Sequence, residues 1–261
     1  MTFFLERRAS SVRIVFAAHL LFERRLIISL AERGFSLHTI SMTCHSASEI
    51  REVSFMKIFD AATGQIKLGG NLRGANMGIL NVDHPDIEEA ITVKKDQNAL
   101  TNFNISIAIT DKFMEAVKKD KEFELINHRK NEVVRKESAA KIFNMMCSQA
   151  WLNGDPGMLF IDRINEFNPT PELGMIESTD SCGEQPLLAY ESCNLGSINL
   201  SNFAKNGKME FKKLAKTVHL AVHFLDNVID MCNYPLKQNK NIVEKNRKIG
   251  LGVMGFSDLL I

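Results

Sequence analysis

Thr179-Asp180-Ser181-Cys182-Gly183-Glu184-Gln185-Pro186-Leu187-Leu188-Ala189-Tyr190-Glu191-Ser192-Cys193-Asn194-Leu195-Gly196-Ser197-Ile198-Asn199-Leu200 is the stretch on which the reading of this chain turns. Two cysteines lie eleven residues apart, and the first has a carboxylate two residues to either side. In an extended segment alternate side chains share a face. That would align Asp180, Cys182 and Glu184, with each acid roughly 7 Å along the chain from the sulfur. Composition alone would make both cysteines buried thiols, because free cysteine behaves as a small hydrophobe. A thiol between two acids, in a segment rich in Gly, Pro and Asn, instead points to a sulfur that does chemistry beside a proton acceptor.

Working outward, Asn168-Pro169-Thr170-Pro171 reads as the loop leading into this segment, and Met158–Asp162 as a buried strand before it. Glu132–Leu152 reads as one long helix that stops at Asn153-Gly154-Asp155-Pro156-Gly157. Asn104–Thr110 alternates with period two and predicts a strand. Asp111–Lys119 predicts a helix capped at Thr110 or Asp111. Asp83-His84-Pro85-Asp86-Ile87-Glu88-Glu89-Ala90 reads as a helix start, with Asp83 as cap and His84 in the capping turn. Further back, Lys67–Gly78 holds four glycines and one arginine, Arg73. Such a backbone can approach a ligand closely, although it meets neither the dinucleotide nor the P-loop spacing. Ser54–Ala62 suggests a short helix, and Leu20, Leu21, Leu26, Ile27 and Leu30 make residues 1–50 helix-prone.

On the other side, Phe211, Leu214, Val218, Ala221, Leu225, Val228 and Cys232 form one apolar stripe of a long helix. Cys147 and Cys232 fall within helical patterns and read as buried hydrophobes. His219 and His223 lie one helical turn apart without a third ligand and read as a solvated or core-edge pair, and Cys44-His45 reads as a loop. Ile249–Phe256 suits a tightly packed strand or turn. The chain stops at Leu259-Leu260-Ile261 without a polar tail, as a segment cut from something longer would. Alternating strands and helices predict an α/β layer or barrel.

The 261 residues allow one large domain or two small ones. Hydrophobic residues at 45% and charged ones at 24% are ordinary for a soluble globular protein. A net charge of +1 argues against a nucleic-acid or membrane electrostatic surface. The five cysteines have no zinc-knuckle spacing, which favours a reducing, cytoplasmic home and no metal. The apolar run Ile14–Phe22 is interrupted by His19 and followed by Glu23-Arg24-Arg25, unlike a secretion signal, and no run is long enough to span a bilayer.

Taken together, Val53–Asp60, Gly69 through Ile87, Asn102–Ser106, Gly157–Arg163, Asn168–Leu200 and Ile249–Leu259 resemble the catalytic chain of ribonucleotide reductase, most closely its adenosylcobalamin-dependent class. The resemblance covers residues 52–261 and leaves 1–51 as an unmatched N-terminal segment. It implies part of a ten-stranded α/β barrel with a central finger loop. It also implies a thiyl radical on Cys182, which takes the 3′ hydrogen of a ribonucleotide and returns it. Glu184 would be the base for the 3′ hydroxyl, and Cys193 one of two cysteines that deliver electrons and end as a disulfide. Gly69, Gly70, Arg73, Gly74 and Asn76 would belong to the loop that senses a nucleotide effector and contacts the substrate base. The implied partners are adenosylcobalamin, a ribonucleotide substrate, a nucleotide effector and a thioredoxin-like reductant.

The chain departs from the family at Asp180, where the family has asparagine, and at Ser181, where it usually has proline. A carboxylate cannot donate the amide's hydrogen bond unless protonated, and a second acid near Glu184 would raise one of the two pKa values. Weakened or absent turnover is therefore expected. The partner of Cys193 belongs upstream, where Cys44 is the one candidate and its surroundings do not match. Ser48-Glu49-Ile50-Arg51-Glu52 replaces a glycine- and serine-rich substrate loop. The later half of the barrel, with its phosphate-binding turn, is expected to be missing. Its open strand edges would call for a second copy of the chain or a complementary barrel fragment. Two other readings stand beside this one: the large subunit of a class I enzyme, and a non-catalytic nucleotide-binding remnant.

Overall fold

The computed structural model describes residues 52–261 except Ile66, Gly69, Gly70, Asn71 and Arg129. The expectations for residues 1–51, Cys44-His45 included, lie outside the described residues. The described residues divide into two compact units, one ending at Ala189 and the other Tyr190–Ile261. Their content is mixed α/β, as expected.

The first unit runs α1 (Glu52–Gln65), β1 (Lys67–Leu68), β2 (Leu72–Arg73), β3 (Asn76–Asn81), α2 (Ile87–Thr92), β4 (Phe103–Ile109) and α3 (Asp111–Lys118). It continues through β5 (Glu122–Asn127), β6 (Glu132–Ser138), α4 (Ala139–Asn153), β7 (Gly157–Phe160), α5 (Ile161–Glu166), β8 (Ile176–Thr179) and β9 (Pro186–Leu188). Strand β4 lies between β3 and β7 in a parallel sheet, with Asn76 opposite Phe103 and Ser106 opposite Gly157. Its period-two pattern sorts the two faces. Ile107 and Ile109 pack into a core with Val53, Ile87, Ile91, Phe113, Phe123, Ile142 and Met146. Phe113 meets Phe123 edge-on at 5.1 Å, a favoured aromatic geometry. Ala108 packs with Met77 and Ile79 in a separate cluster. Asn104, Ser106 and Ala108 thus make the small, partly polar face of the strand, and Asn104 is its one exposed residue. Burying a side chain such as Ile107 contributes about 1.5–3 kcal/mol, so this strand is a main anchor of the unit.

Several local expectations hold. Thr110 caps α3, its Oγ1 accepting from the Phe113 amide at 3.2 Å, and Gly154 ends α4. His84 sits buried in the turn before α2, its Nδ1 accepting from the Asp86 amide at 3.1 Å, and burial holds its pKa below the ordinary value.

Others are corrected. Glu132–Ser138 is strand and not helix: it pairs antiparallel with β5, its exposed Val133 and Val134 favour extended backbone, and Ser138 caps α4 by accepting from the Lys141 amide. Asp83 does not cap α2, which begins at Ile87. Its carbonyl accepts from the Ile126 amide and its carboxylate meets His128 Nε2 at 2.9 Å, so it is tied to the β5 end instead. Strand β7 is shorter than the expected Met158–Asp162 strand and only half-buried, because among the described residues it has a single neighbour, β4, and Ile161 starts α5. Cys147 is exposed and not buried: the inward stripe of α4 is Ala139, Ile142, Met146 and Gln149, which leaves position 147 off that face.

In the second unit, β10 (Asn194–Asn199) pairs in parallel with β13 (Ile249–Met254), Asn194 opposite Ile249 and Asn199 opposite Met254. Between them lie the hairpin β11 (Ala204–Lys205) and β12 (Lys208–Met209), then α6 (Phe211–Met231) and α7 (Lys237–Asn246); α8 (Phe256–Leu260) follows β13. Helix α6 lays Leu214, Val218 and Ala221 against Ile198, Phe203 and Leu251. The long-helix reading holds, but Phe211 is 71% exposed and Ile229, not Val228, continues the fully buried line. Cys232 stands just past the helix, half-buried, with burial pushing its thiol pKa up. His219 and His223 are exposed, as the solvated reading has it. No helix among the described residues is long and apolar enough to cross a membrane.

Candidate active site

The first cysteine rides on a hairpin. Strands β8 and β9 pair antiparallel, Ile176 opposite Leu188 and Thr179 opposite Pro186. Residues 180–185 therefore form a turn and not the extended segment expected from the sequence. Asp180 organises that turn. Its amide donates to the Gln185 carbonyl at 3.1 Å. Its Oδ1 accepts from the Gly183 amide at 3.1 Å and the Gln185 amide at 3.0 Å. This is the local side-chain-to-backbone bonding that short acids favour in turns. Gly183 has φ of +91° and open space where a Cβ would stand, so backbone conformation and not crowding calls for glycine here.

The turn brings the ligand atoms of Asp180, Cys182 and Glu184 within 4.8 Å of one another, closer than the spacing an extended chain would give. Cys182 and Glu184 are exposed and Asp180 is half-buried. Glu184 still loses part of its hydration within the turn. That desolvation, followed by the Asp180 charge and a hydrogen bond with it, outweighs a backbone hydrogen bond that acts in the opposite direction. The net effect is to hold the Glu184 carboxyl above the usual carboxylate range. A thiol oriented beside such a carboxyl suits hydrogen-atom and proton transfer, since a base works best with a pKa nearer the operating pH. The three groups could also approach a cation, but exposed acids commonly come together without one.

A residue with no role in the sequence reading steadies the turn: Asn104 Nδ2 donates to the Ser181 carbonyl. The signal was present, since Asn104 is an amide in a mostly apolar strand. The carbonyl it would meet lies far along the chain and could not be read.

The other expected site residues are more scattered. Cys193 is half-buried, one residue before β10, in the second unit. In the glycine segment β1 and β2 pair as a hairpin, Lys67 opposite Arg73. Its tip, Gly69 and Gly70, and the Arg73 side chain lie outside the described residues. Gly74 and Asn76 both meet α1. A Cβ on Gly74 would stand 2.6 Å from Thr63 Cγ2, and Asn76 Nδ2 donates to Thr63 Oγ1 at 2.9 Å. Gly74 is thus glycine at least in part to let the helix approach.

Residues 37–261 match the family model described as "Ribonucleotide reductase, barrel domain". The chain is 52% identical over 211 residues to a protein of Thermoplasma acidophilum named "Vitamin B12-dependent ribonucleoside-diphosphate reductase", covering 80% of this chain and 28% of that one. A Mycobacterium tuberculosis protein of the same name is 44% identical over 209 residues, covering 80% and 30%. A Streptomyces avermitilis protein named "Vitamin B12-dependent ribonucleotide reductase" is 34% identical over 238 residues, covering 80% and 25%. The chain spans less than a third of the length of these curated relatives.

Proposed function

The chain belongs to the ribonucleotide reductase barrel-domain family, and from that premise we propose that it carries the radical-bearing part of an enzyme that reduces ribonucleotides to deoxyribonucleotides. The observation that carries this reading is the convergence of Cys182, Glu184 and Asp180 on one turn. Residues 52–261 are read as part of a ten-stranded barrel, with turn 180–185 as its finger loop. The parallel strands β3, β4 and β7, and the hold of Asn104 on Ser181, support that placement.

In this reading the Cys182 sulfur, as a thiyl radical, takes the 3′ hydrogen of the ribose and later returns it. Glu184 accepts the proton of the 3′ hydroxyl. Its raised pKa means that it acts as a base only above its own titration, so turnover falls on the acid side. Cys193 and a second cysteine supply two electrons and two protons and become a disulfide as the 2′ hydroxyl of the ribose leaves as water, and a thioredoxin-like protein reduces that disulfide. The names of the relatives favour a ribonucleoside diphosphate as substrate and a cobalamin cofactor over the class I reading. The adenosyl form is the expected one; when bound, it supplies the one-electron oxidation. The exposed position of Cys182 fits a group that must approach it from outside the chain. Residues Gly69, Gly70, Arg73, Gly74 and Asn76 are read as the loop that responds to a nucleotide effector, and the protein as cytoplasmic.

Asp180 fits the turn as asparagine would, because its Oδ1 performs the two backbone contacts. What it lacks is the amide donor. The test is product formation from a ribonucleoside diphosphate with adenosylcobalamin and dithiol, in the wild-type chain and in Cys182→Ser. Weak deoxynucleotide formation by the first and none by the second is expected. Product that persists in Cys182→Ser would sink the reading, and nucleotide binding without any product would favour the non-catalytic remnant.

A further inference from the structure

Glu191 has no exposed surface at all, the deepest burial of a carboxylate among the described residues. Its Oε2 meets Lys248 Nζ at 2.6 Å and its Oε1 accepts from Asn246 Nδ2. The flanking backbone is held in the same place: Tyr190 has φ of +62°, a conformation an L side chain rarely takes, and its carbonyl accepts from Asn239 Nδ2 at 2.6 Å. A buried ion pair is weak as a source of stability, because desolvation of both charges offsets their attraction; its better-attested use is to fix one arrangement.

What is fixed here is the head of β10. The register of the two parallel strands begins at Asn194 opposite Ile249. Cys193 and Lys248 are each one residue ahead of that pair, and Glu191 is two residues from the cysteine. Arg247, between Asn246 and Lys248, is itself tied to α6 through Asp226 at 2.8 Å and Asp230 at 2.9 Å. Among the described residues, the titratable groups on the packed elements around this strand head include Glu191, Lys248, Arg247, Asp226 and Asp230, with His223 acting on Asp226, and Cys232 and Glu244 acting on Tyr234.

We propose that Glu191 and Lys248 are positioning residues for Cys193, their ion pair fixing the head of β10 where its thiol stands. This rests on the reading of Cys193 as a cysteine that delivers electrons. The physical consequence is a charge signature. Removing the cation takes a positive charge from the strand head and disfavours the thiolate; removing the carboxylate's charge takes a negative one away and favours it.

The experiment is the rate of Cys193 alkylation by iodoacetamide in the full chain, followed by peptide mass spectrometry across pH, with Cys182 as the internal reference. Lys248→Met is expected to slow Cys193 about fivefold at neutral pH, and Glu191→Gln to speed it by a similar factor, with Cys182 unchanged. The double variant Glu191→Gln/Lys248→Met, which removes both charges of the pair together, keeps the test available if Lys248→Met does not fold. Its expected rate lies near that of the wild type. Faster alkylation in every variant would reveal mere loosening and overturn the proposal, as would no change in any. The readout is a thiol rate and not turnover, so a failure of the clamp and a failure of the reaction reading are separate results.

Discussion

Two glutamates near two cysteines meet opposite fates. Glu184 lies exposed in a turn with a second carboxylate as its neighbour, and its proton is held more tightly than usual. Glu191 is buried with a lysine and an amide on its two oxygens. The first setting leaves a group ready to exchange a proton beside an exposed thiol. The second fixes backbone beside a half-buried one. The same residue type serves reactivity or position according to the sign of its neighbour and its access to water.

The contrast can be broken at its chemical end first. Cys182→Ser should abolish nucleotide reduction, since the hydroxyl hydrogen is too strongly bound to serve; residual product by chromatography would contradict the role. Glu184→Gln should lower turnover by about 10²–10⁴-fold, the usual worth of a positioned base, and should remove the acid limb of the pH–rate profile. On the structural side, Glu191→Ala should cost ~3–5 kcal/mol by removing the buried carboxylate that Lys248 meets, measured by denaturant unfolding.

A smaller effect sharpens the electrostatic half of the comparison. Asp180→Asn removes a negative charge next to Glu184 and restores an amide donor. Desolvation would still raise the Glu184 pKa, but the like-charge contribution would be gone. The acid limb of the rate profile should move to lower pH and turnover rise by about tenfold. The sign for stability follows. A carboxyl whose folded pKa is raised adds stability at acid pH that is lost as pH rises through the folded value. Asp180→Asn should therefore flatten that part of the stability–pH curve, read by thermal melts at several pH values. Smallest is Gly183→Ala, at about 1 kcal/mol: open space surrounds the position, and only the left-handed backbone resists a side chain.

Much of the first unit was legible because it is local. The Thr110 cap, the alternation in β4 and the stop at Gly154 each follow from neighbours a few residues away. Residues 132–138 misled because a charged, partly β-branched stretch joins smoothly to a helical pattern; only its pairing with β5 makes it a strand. Cys147 misled because a cysteine in a helical pattern does not announce which stripe faces inward.

The sequence by itself determined the family and supplied the candidate thiol and acids, since these are matters of residue type and order. Tertiary structure alone decided how they meet. A hairpin turn, not an extended face, gathers Asp180, Cys182 and Glu184, and an amide from a distant strand steadies it. Likewise, that Glu191 would be buried on Lys248 depended on β10 lying beside β13. Charge and burial act through space, and the distance between groups far apart in order is fixed only when strands choose their neighbours.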